Sequence, residues 1–508
     1  MAETSATIQP PQEQQGQWLA LIAIILGAFV AILNNSLINV ALPKLVNTLS
    51  STTDRMQWVL TGYMLASGVI IPISGYMGDR LGYKKFFTIA LSIFTVGSAL
   101  CATAWSDTSL IFFRIVAGLG GGVIMPLSMA IIYKIIPRHQ IGMALGIWGI
   151  SAMVAPAIGP TLSGYLIQYY SWRLLFIVSI PVSLLAILMV LLLLKETEIV
   201  KGKKFDFAGF FLSATSAGTL LYALSNGQKD GWTSFEIVSL LYISVSALVL
   251  LFYVETGKED PIIDFSLFKN IQFTLSVLAG CLIMIGMYGG VFLTPIYLQN
   301  IQDMSTIDTG LLLMPQAIAM AIMMPIAGRL FDKIGAMPLA LVGLTLLSIM
   351  TYQLHQLTTI TSQNWLKYIL MVRGIGIGLC MMPISTAGMN AVHPHQVAKA
   401  SAQSNLIRQV AASFGIAILT MIMQDQTQLH AEQIRETVTL HSVAAQLFPT
   451  PAAMAQLTGI ITLESLARGI ADAFELSSIP LFLAIPIAFL FRRRKPHMPI
   501  QPNKQSAS

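Results

Sequence analysis

Two charged, glycine-bearing stretches, each wedged between long apolar runs, set the strongest limit on what this chain can fold into. The first, Gly75–Lys85, separates the apolar runs Gln57–Ser74 and Phe86–Trp105. Either run is long enough to cross a hydrocarbon core of ~30 Å as a helix, which takes about 20 residues. The same spacing returns at Gly328–Gly335, where Gly328 aligns with Gly75, Asp332 with Asp79, Lys333 with Arg80 and Gly335 with Gly82. Glycine supplies the backbone freedom that a tight turn between two spans requires. A repeat of this kind predicts a duplicated, all-α bundle of membrane helices.

Composition agrees. Only 10% of the 508 residues are charged and 55% are hydrophobic, where soluble domains carry about 25% charged residues. Mean hydropathy is +0.72. Apolar runs near Trp18–Leu42, Gln57–Tyr76, Tyr83–Trp105, Ser109–Ile135, Gln140–Gln168 and Trp172–Leu194 make six spans. Two more, near Phe207–Ser225 and Ser234–Val254, lie between the polar linkers Lys195–Asp206 and Glu255–Lys269. Six others follow, near Phe273–Gln299, Thr309–Leu330, Pro338–Leu354, Trp365–Asn390, Ala398–Gln424 and Leu466–Phe491. The expected organisation is a disordered tail (1–17), a six-helix bundle (18–195), a linker with an inserted pair (196–264), a second six-helix bundle (265–492) and a C-terminal tail (493–508). The segment 425–464 reads as one long external loop, whose polar, helix-permissive composition suggests a short surface helix or hairpin.

Charge sets the expected orientation. Most of the 29 Lys and Arg residues fall on the side that holds Gly75–Lys85 and both termini. Lys44, Arg55, Arg173, Lys229, Lys367, Arg435 and Arg468 fall on the other. By the positive-inside rule both termini are cytoplasmic, in a cell (plasma or inner) membrane. The net charge of +6 is spread over loops, with no basic face for nucleic acid. No G-x-x-x-x-G-K-[ST] occurs, so ATP does not drive the protein directly. The histidines fall outside the expected spans and Cys101, Cys281 and Cys380 inside them, which predicts no metal centre, no disulfide and no cofactor. No nucleophile–base pair is evident, so an enzyme is not expected.

Three features inside the spans bear on transport. In span 5, Gly142, Gly146, Gly149, Pro156, Gly159, Pro160 and Gly164 thin the helix surface and interrupt its hydrogen bonds. In span 4, Arg114 is an intramembrane charge, costly enough to be a functional residue by default. Asn34 in span 1 sits at a similar depth, since the two spans run in opposite directions. Arg373 and Arg408 add two further cations in spans 12 and 13, and none of the 23 acids reads as mid-membrane.

The chain resembles the fourteen-helix drug:proton antiporters of the major facilitator superfamily, the QacA/EmrB type. The carriers of the resemblance are Gly75–Lys85, Arg114–Gly121, the run from Gly149 through Ala155-Pro156-Ala157-Ile158-Gly159-Pro160 to Gly164, and Leu33–Pro43. It implies a 6 + 2 + 6 major facilitator fold and export by alternating access. It makes Gly149, Pro156, Gly159, Pro160 and Gly164 an antiporter motif, and it pairs an acid in span 1 with the span-4 arginine for proton coupling. Here the acid position holds Asn34, which cannot titrate; Asp308, Asp472 and Glu475 near the outer span ends are the alternative proton carriers. Gly75, Asp79, Arg80, Gly82, Asp332 and Lys333 are expected to form a cytoplasmic gate, with Asp79 as its latch. Asn34, Tyr63, Trp148, Met153, Tyr288, Tyr297, Gln316, Asn405, Arg408 and Gln409 are expected along the substrate path. The expected activity is secondary, proton-coupled efflux of small amphipathic compounds from the bilayer, by a monomer with a periplasmic adaptor as a possible partner. A lipid, lysolipid or anionic-amphiphile carrier without proton coupling is the alternative, and a transport-silent sensor a remote one.

Overall fold

The computed structural model describes residues 11–137, 140–197, 199, 205–258, 260–393, 396–437 and 451–491. The chain folds into α1 (Pro11–Thr48), α2 (Thr53–Ile70), α3 (Ile73–Leu81), α4 (Tyr83–Ala102), α5 (Asp107–Ile135), α6 (Ile141–Tyr169), the short α7 (Leu174–Ile177) and α8 (Ser179–Leu193). Then come α9 (Phe207–Asp230) and α10 (Phe235–Glu255). The remainder is α11 (Ile271–Asn300), α12 (Thr306–Ile334), α13 (Ala336–Gln353), α14 (Gln363–Ala391), α15 (Val397–Thr437) and α16 (Pro451–Phe489). Thirteen of the described helices are long and apolar enough to span a membrane, or up to 14 when the bent pair α2–α3 counts as one span.

Polar side chains start the helices where the spans predict. Thr52 accepts from the Arg55 amide at α2, and Ser106 and Ser109 form a reciprocal capping box at α5. Asp206, Ser234, Asn270 and Ser305 cap α9, α10, α11 and α12. Packing then sorts the helices. In the first bundle α4 lies on α5, α2 on α5, and α1 on α6 and α8. In the second, α13 lies on α14, α12 on α14, and α16 on α11, α13 and α15. The bundles meet along α6 and α12, the most extensively packed helix pair in the molecule. Helix α9, paired with α10, lies against both α2 of the first bundle and α15 of the second.

Three local expectations change. The stretch Gly75–Leu81 is helix, not turn; α3 leaves α2 at Pro72 with a bend of 58°. The turn itself is confined to Gly82, at φ +85°, and its counterpart to Gly335, at φ +82°. Both angles favour glycine because a Cβ is crowded in that region. Helix α1 begins at Pro11, within the stretch read as a disordered tail. Its first turn is proline followed by Gln- and Glu-rich sequence, and these are good residues for a helix start. Finally, the helix within the expected loop 425–464 is not a separate short one but an extension of the flanking spans, because α15 continues to Thr437 and α16 starts at Pro451. His430 therefore sits on a helix; 438–450 lies outside the described residues.

Candidate functional site

The seam between the bundles is built on glycine. A Cβ on Gly142 would lie 2.6 Å from the Gly328 carbonyl oxygen and 2.7 Å from Asp332 Oδ1. One on Gly146 would lie 2.7 Å from the Met324 carbonyl oxygen, and one on Gly149 2.8 Å from Met324 Sδ. Further along α6, Gly159 packs on Ser36 of α1, the Pro156 carbonyl accepts from Ser36 Oγ at 3.3 Å, and Gly164 faces Ile307 of α12. Pro160 lies in the same helix, half-buried. The glycines of span 5 thus divide their work. Gly142, Gly146, Gly149 and Gly164 let α6 approach α12 across the seam, and Gly159 lets it approach α1 within its own bundle.

At the basic end the two repeated motifs reach across that seam in the same way. Gly75 lies against the backbone of Lys399, at the start of α15; a Cβ there would be 3.3 Å from the Lys399 nitrogen. Asp332 lies against Gly142, at the start of α6. Each motif therefore meets the N-terminus of a helix of the other bundle, where free amides and the helix dipole favour a carboxylate. Asp79 is 6% exposed and accepts from Tyr83 Oη at 2.9 Å. Arg80 donates to Tyr76 Oη at 3.0 Å, Lys333 is exposed, and Gly82 leaves room for Glu196, which accepts from the Lys84 and Lys85 amides. Ser401 Oγ donates to the Pro126 carbonyl at 3.2 Å, a further link between bundles at this end.

Inside the first bundle, Arg114 is fully buried. Its Nη1 donates to Asn34 Oδ1 at 2.7 Å, Nη2 to Asn35 Oδ1 at 3.3 Å and Nε to the Val59 carbonyl at 3.1 Å. The guanidinium lies 4.2 Å from the centre of the Tyr63 ring. Asn34 is itself held by donating to Ser179 Oγ at 3.0 Å, a partner on α8 that no sequence pattern flagged. Asn34 thus solvates the cation with a dipole instead of a charge. A central arginine costs about 2.5–3.5 kcal/mol on insertion scales, and these contacts offset it.

Arg373 is the counterpart in the second bundle, on α14. It too is fully buried, donating to Thr351 Oγ1 at 3.0 Å and to the Met287 and Gly286 carbonyls at 3.2 and 3.4 Å. The guanidinium fills space that a side chain at Gly290 would take. The pairing Gly290–Arg373 was not evident in the sequence because the glycine's role exists only across the helix interface.

The expected path residues do not form one set. Gln409 Nε2 of α15 donates to the Met64 carbonyl of α2 at 3.2 Å, spanning the seam. Arg408 Nη1 donates to Ser385 Oγ at 3.2 Å, and Asn405 bonds back to the Ser401 carbonyl at 2.8 Å. Trp148 donates to Ser128 Oγ at 2.9 Å within the first bundle, Tyr288 is half-buried on α11, and the backbone of Gln316 packs on Gly374. Tyr297 lies elsewhere: fully buried in the far core of the second bundle, it donates to the Thr358 carbonyl at 2.6 Å. The side chain of Met153 lies outside the described residues.

Nor do the three outer acids approach Arg114; they belong to the other bundle. Asp308 accepts from Ser305 Oγ at 2.6 Å at the start of α12. Asp472 faces His430 Nε2 at 2.7 Å, and with Glu475, Tyr352 and Phe482 it lines an open groove of about 380 Å³ on α16. Among the described residues no group of His, Cys, Asp and Glu could hold a metal ion.

Residues 24–416 match the model of the Major Facilitator Superfamily. The chain belongs to that family. It is a multi-pass membrane transporter, not an enzyme. The curated relatives include the MFS-type transporter YhcA of Bacillus subtilis, 38% identical over 82% of this chain and 78% of its own length. The multidrug resistance protein Stp of Mycobacterium tuberculosis is 30% identical over 88% of this chain and 84% of its own, and the multidrug export protein EmrB of Escherichia coli 29% over 91% and 90%. Among solved structures the proton:xylose symporter XylE aligns with a TM-score of 0.63 over 95% of this chain and 97% of its own. At 13% identity that likeness concerns the fold alone.

Proposed function

We propose that this transporter exports amphipathic compounds from the membrane by alternating access, with the basic end cytoplasmic. The observation that carries the reading is the pair of matching cross-seam contacts at the basic end. Gly75 meets the start of α15, and its counterpart Gly328, together with Asp332, meets the start of α6, so each repeat packs against the other bundle at this end. Two bundles joined through glycine seams and end contacts are suited to rocking about a central site. The relatives named for multidrug resistance and export support amphipathic cargo.

Proton coupling is the narrower part of the proposal. Its candidates are Asp472 and Glu475 on α16, the former joined to His430. A facilitator without proton coupling is the second reading, and the Asn34–Arg114 bond favours it, because neither group changes charge in the working pH range. Reconstitution in liposomes with an imposed pH gradient separates the two. Dye efflux that acidifies the compartment opposite to dye release supports exchange for protons. Efflux at equal rates with and without the gradient supports the facilitator, and no efflux of any amphiphile removes the transport proposal.

A further inference from the structure

Three arginines lie inside the membrane spans, and they are not equivalent. Arg114 is fully buried and held by two asparagines, a carbonyl and an aromatic face. Arg373 is fully buried and held by a hydroxyl and two carbonyls. Arg408 differs on both counts. It is only partly buried, and among the described residues its one hydrogen-bond partner is the neutral hydroxyl of Ser385. No carboxylate of the described residues lies within ion-pair distance of it.

Its location is that of a carrier site. Arg408 lies on α15 beyond Val397, hence about 16 Å from the basic end at 1.5 Å per residue, near the middle of a ~30 Å core. Gly280 on α11 makes room for the side chain, since a Cβ there would sit 3.4 Å from Arg408 Cδ. The next residue, Gln409, already reaches the first bundle through the Met64 carbonyl. Cys281, next to Gly280, is a near neighbour of Arg408, and Met284, Ile384 and Ala412 on the same three helices α11, α14 and α15 belong to the apolar core of the second bundle. A guanidinium with spare donors beside apolar surface at a moving seam matches a ligand with an anionic head and a hydrocarbon or aromatic body.

We infer that Arg408 binds the anionic head of an amphipathic cargo, so that the transporter takes organic anions or zwitterions. The inference rests on the transport reading above and names its cargo class. The guanidinium supplies up to four donors not used by Ser385. Alternating access would then bring the same cation to each side of the membrane in turn. The tail of the cargo would lie against that apolar surface, where methionine adapts to varied shapes.

The experiment uses the full chain, purified in detergent for binding and reconstituted for transport, with two probes of matched aromatic body. One is the anion 1-anilinonaphthalene-8-sulfonate and the other the neutral N-phenyl-1-naphthylamine. The expected result is that Arg408→Gln weakens binding of the sulfonate at least tenfold and leaves the neutral dye within twofold, while Arg408→Lys keeps most of the sulfonate affinity. Equal effects on both dyes, or none on the sulfonate, would overturn the inference. If Arg408→Gln does not fold, competition on the unaltered protein decides: decyl sulfate should displace the sulfonate dye far better than decyltrimethylammonium, and equal displacement overturns the inference. Failure of the transport reading is separate, because it shows as absence of movement of both dyes in liposomes whatever the binding arm gives.

Discussion

At the residue scale the informative position is Asn34. Its amide offers Arg114 an oxygen at 2.7 Å and gives its own N–H to Ser179, so it is satisfied on both sides. Replacing it by aspartate would set a carboxylate against a buried guanidinium, within reach of a charge-assisted hydrogen bond. Asn34→Asp is therefore expected to fold and to hold Arg114 at least as firmly as the amide does. The unfolding temperature of the variant and the parent in detergent checks this; a marked drop in the variant would count against it. Arg114→Ala should be far more damaging, leaving the buried Asn34 amide oxygen without its donor, at about 1–3 kcal/mol, and a void where the guanidinium lay against Tyr63. Thermal unfolding in detergent reads that loss directly. Asn34 and Arg114 were legible in the sequence because a polar residue in an apolar span is conspicuous. Ser179 was not, since a serine on a neighbouring helix gives no signal until the helices are placed.

At the element scale α6 is the helix whose surface is most specified. Gly142 and Gly146 touch backbone of α12 with no room for a Cβ, so a side chain there must move a helix and not just a rotamer. Gly146→Val should cost about 1–3 kcal/mol as an overpacked interface and should stop closure of the basic end. Accelerated labelling of a cysteine introduced at Ser401 would report that opening, and unchanged labelling would refute it. Gly218 of α9 is the contrasting case. The nearest atom to a Cβ there is Val69 Cγ2 at 3.4 Å, so Gly218→Ala should be tolerated and slightly stabilising, as glycine is costly inside a helix. Sequence showed both glycines alike; only the neighbouring surface tells them apart.

At the scale of the whole molecule the inserted pair fastens the two bundles together along one side. Near one end, Gln228 of α9 donates to Gln424 of α15 at 2.5 Å, and Tyr222 of α9 stacks on Trp58 of α2 at 5.5 Å. At the basic end Lys258 Nζ bonds Asp206 at 2.7 Å and Glu255 at 3.4 Å, and Lys399 of α15 meets Asp260 at 3.5 Å. Burial acts to raise the Asp206 carboxyl, but hydrogen bonds from its neighbours Glu255, Lys258 and the Gly209 amide outweigh it and hold the carboxyl below the usual carboxylate range. A depressed folded-state pKa contributes stability that is present above the unfolded value, about 3.9, and is lost as pH falls through the folded one. The clip is accordingly expected to hold from neutral pH to about pH 4 and to loosen in stronger acid. Protection of residues 255–269 from proteolysis or hydrogen exchange measures it. Lys258→Ala should expose the same segment at neutral pH, at a cost of about 1–2 kcal/mol, between that of an exposed pair and a buried one.

By itself the sequence determined that the chain crosses a membrane many times, that its halves are related, and where its buried charges lie. Those properties follow from run length, spacing and the expense of charge in hydrocarbon, and they need no neighbour to be read. Tertiary structure decided what each of those residues faces. It turned Gly75–Leu81 from a loop into the helix α3, set Tyr297 in a core, and left Arg408, among the described residues, an interior cation with a single neutral hydrogen-bond partner. The reason is that a span is apolar on every side, so its sequence marks depth but not direction. Direction arises only when small residues such as Gly142, Gly280 and Gly290 let another helix approach.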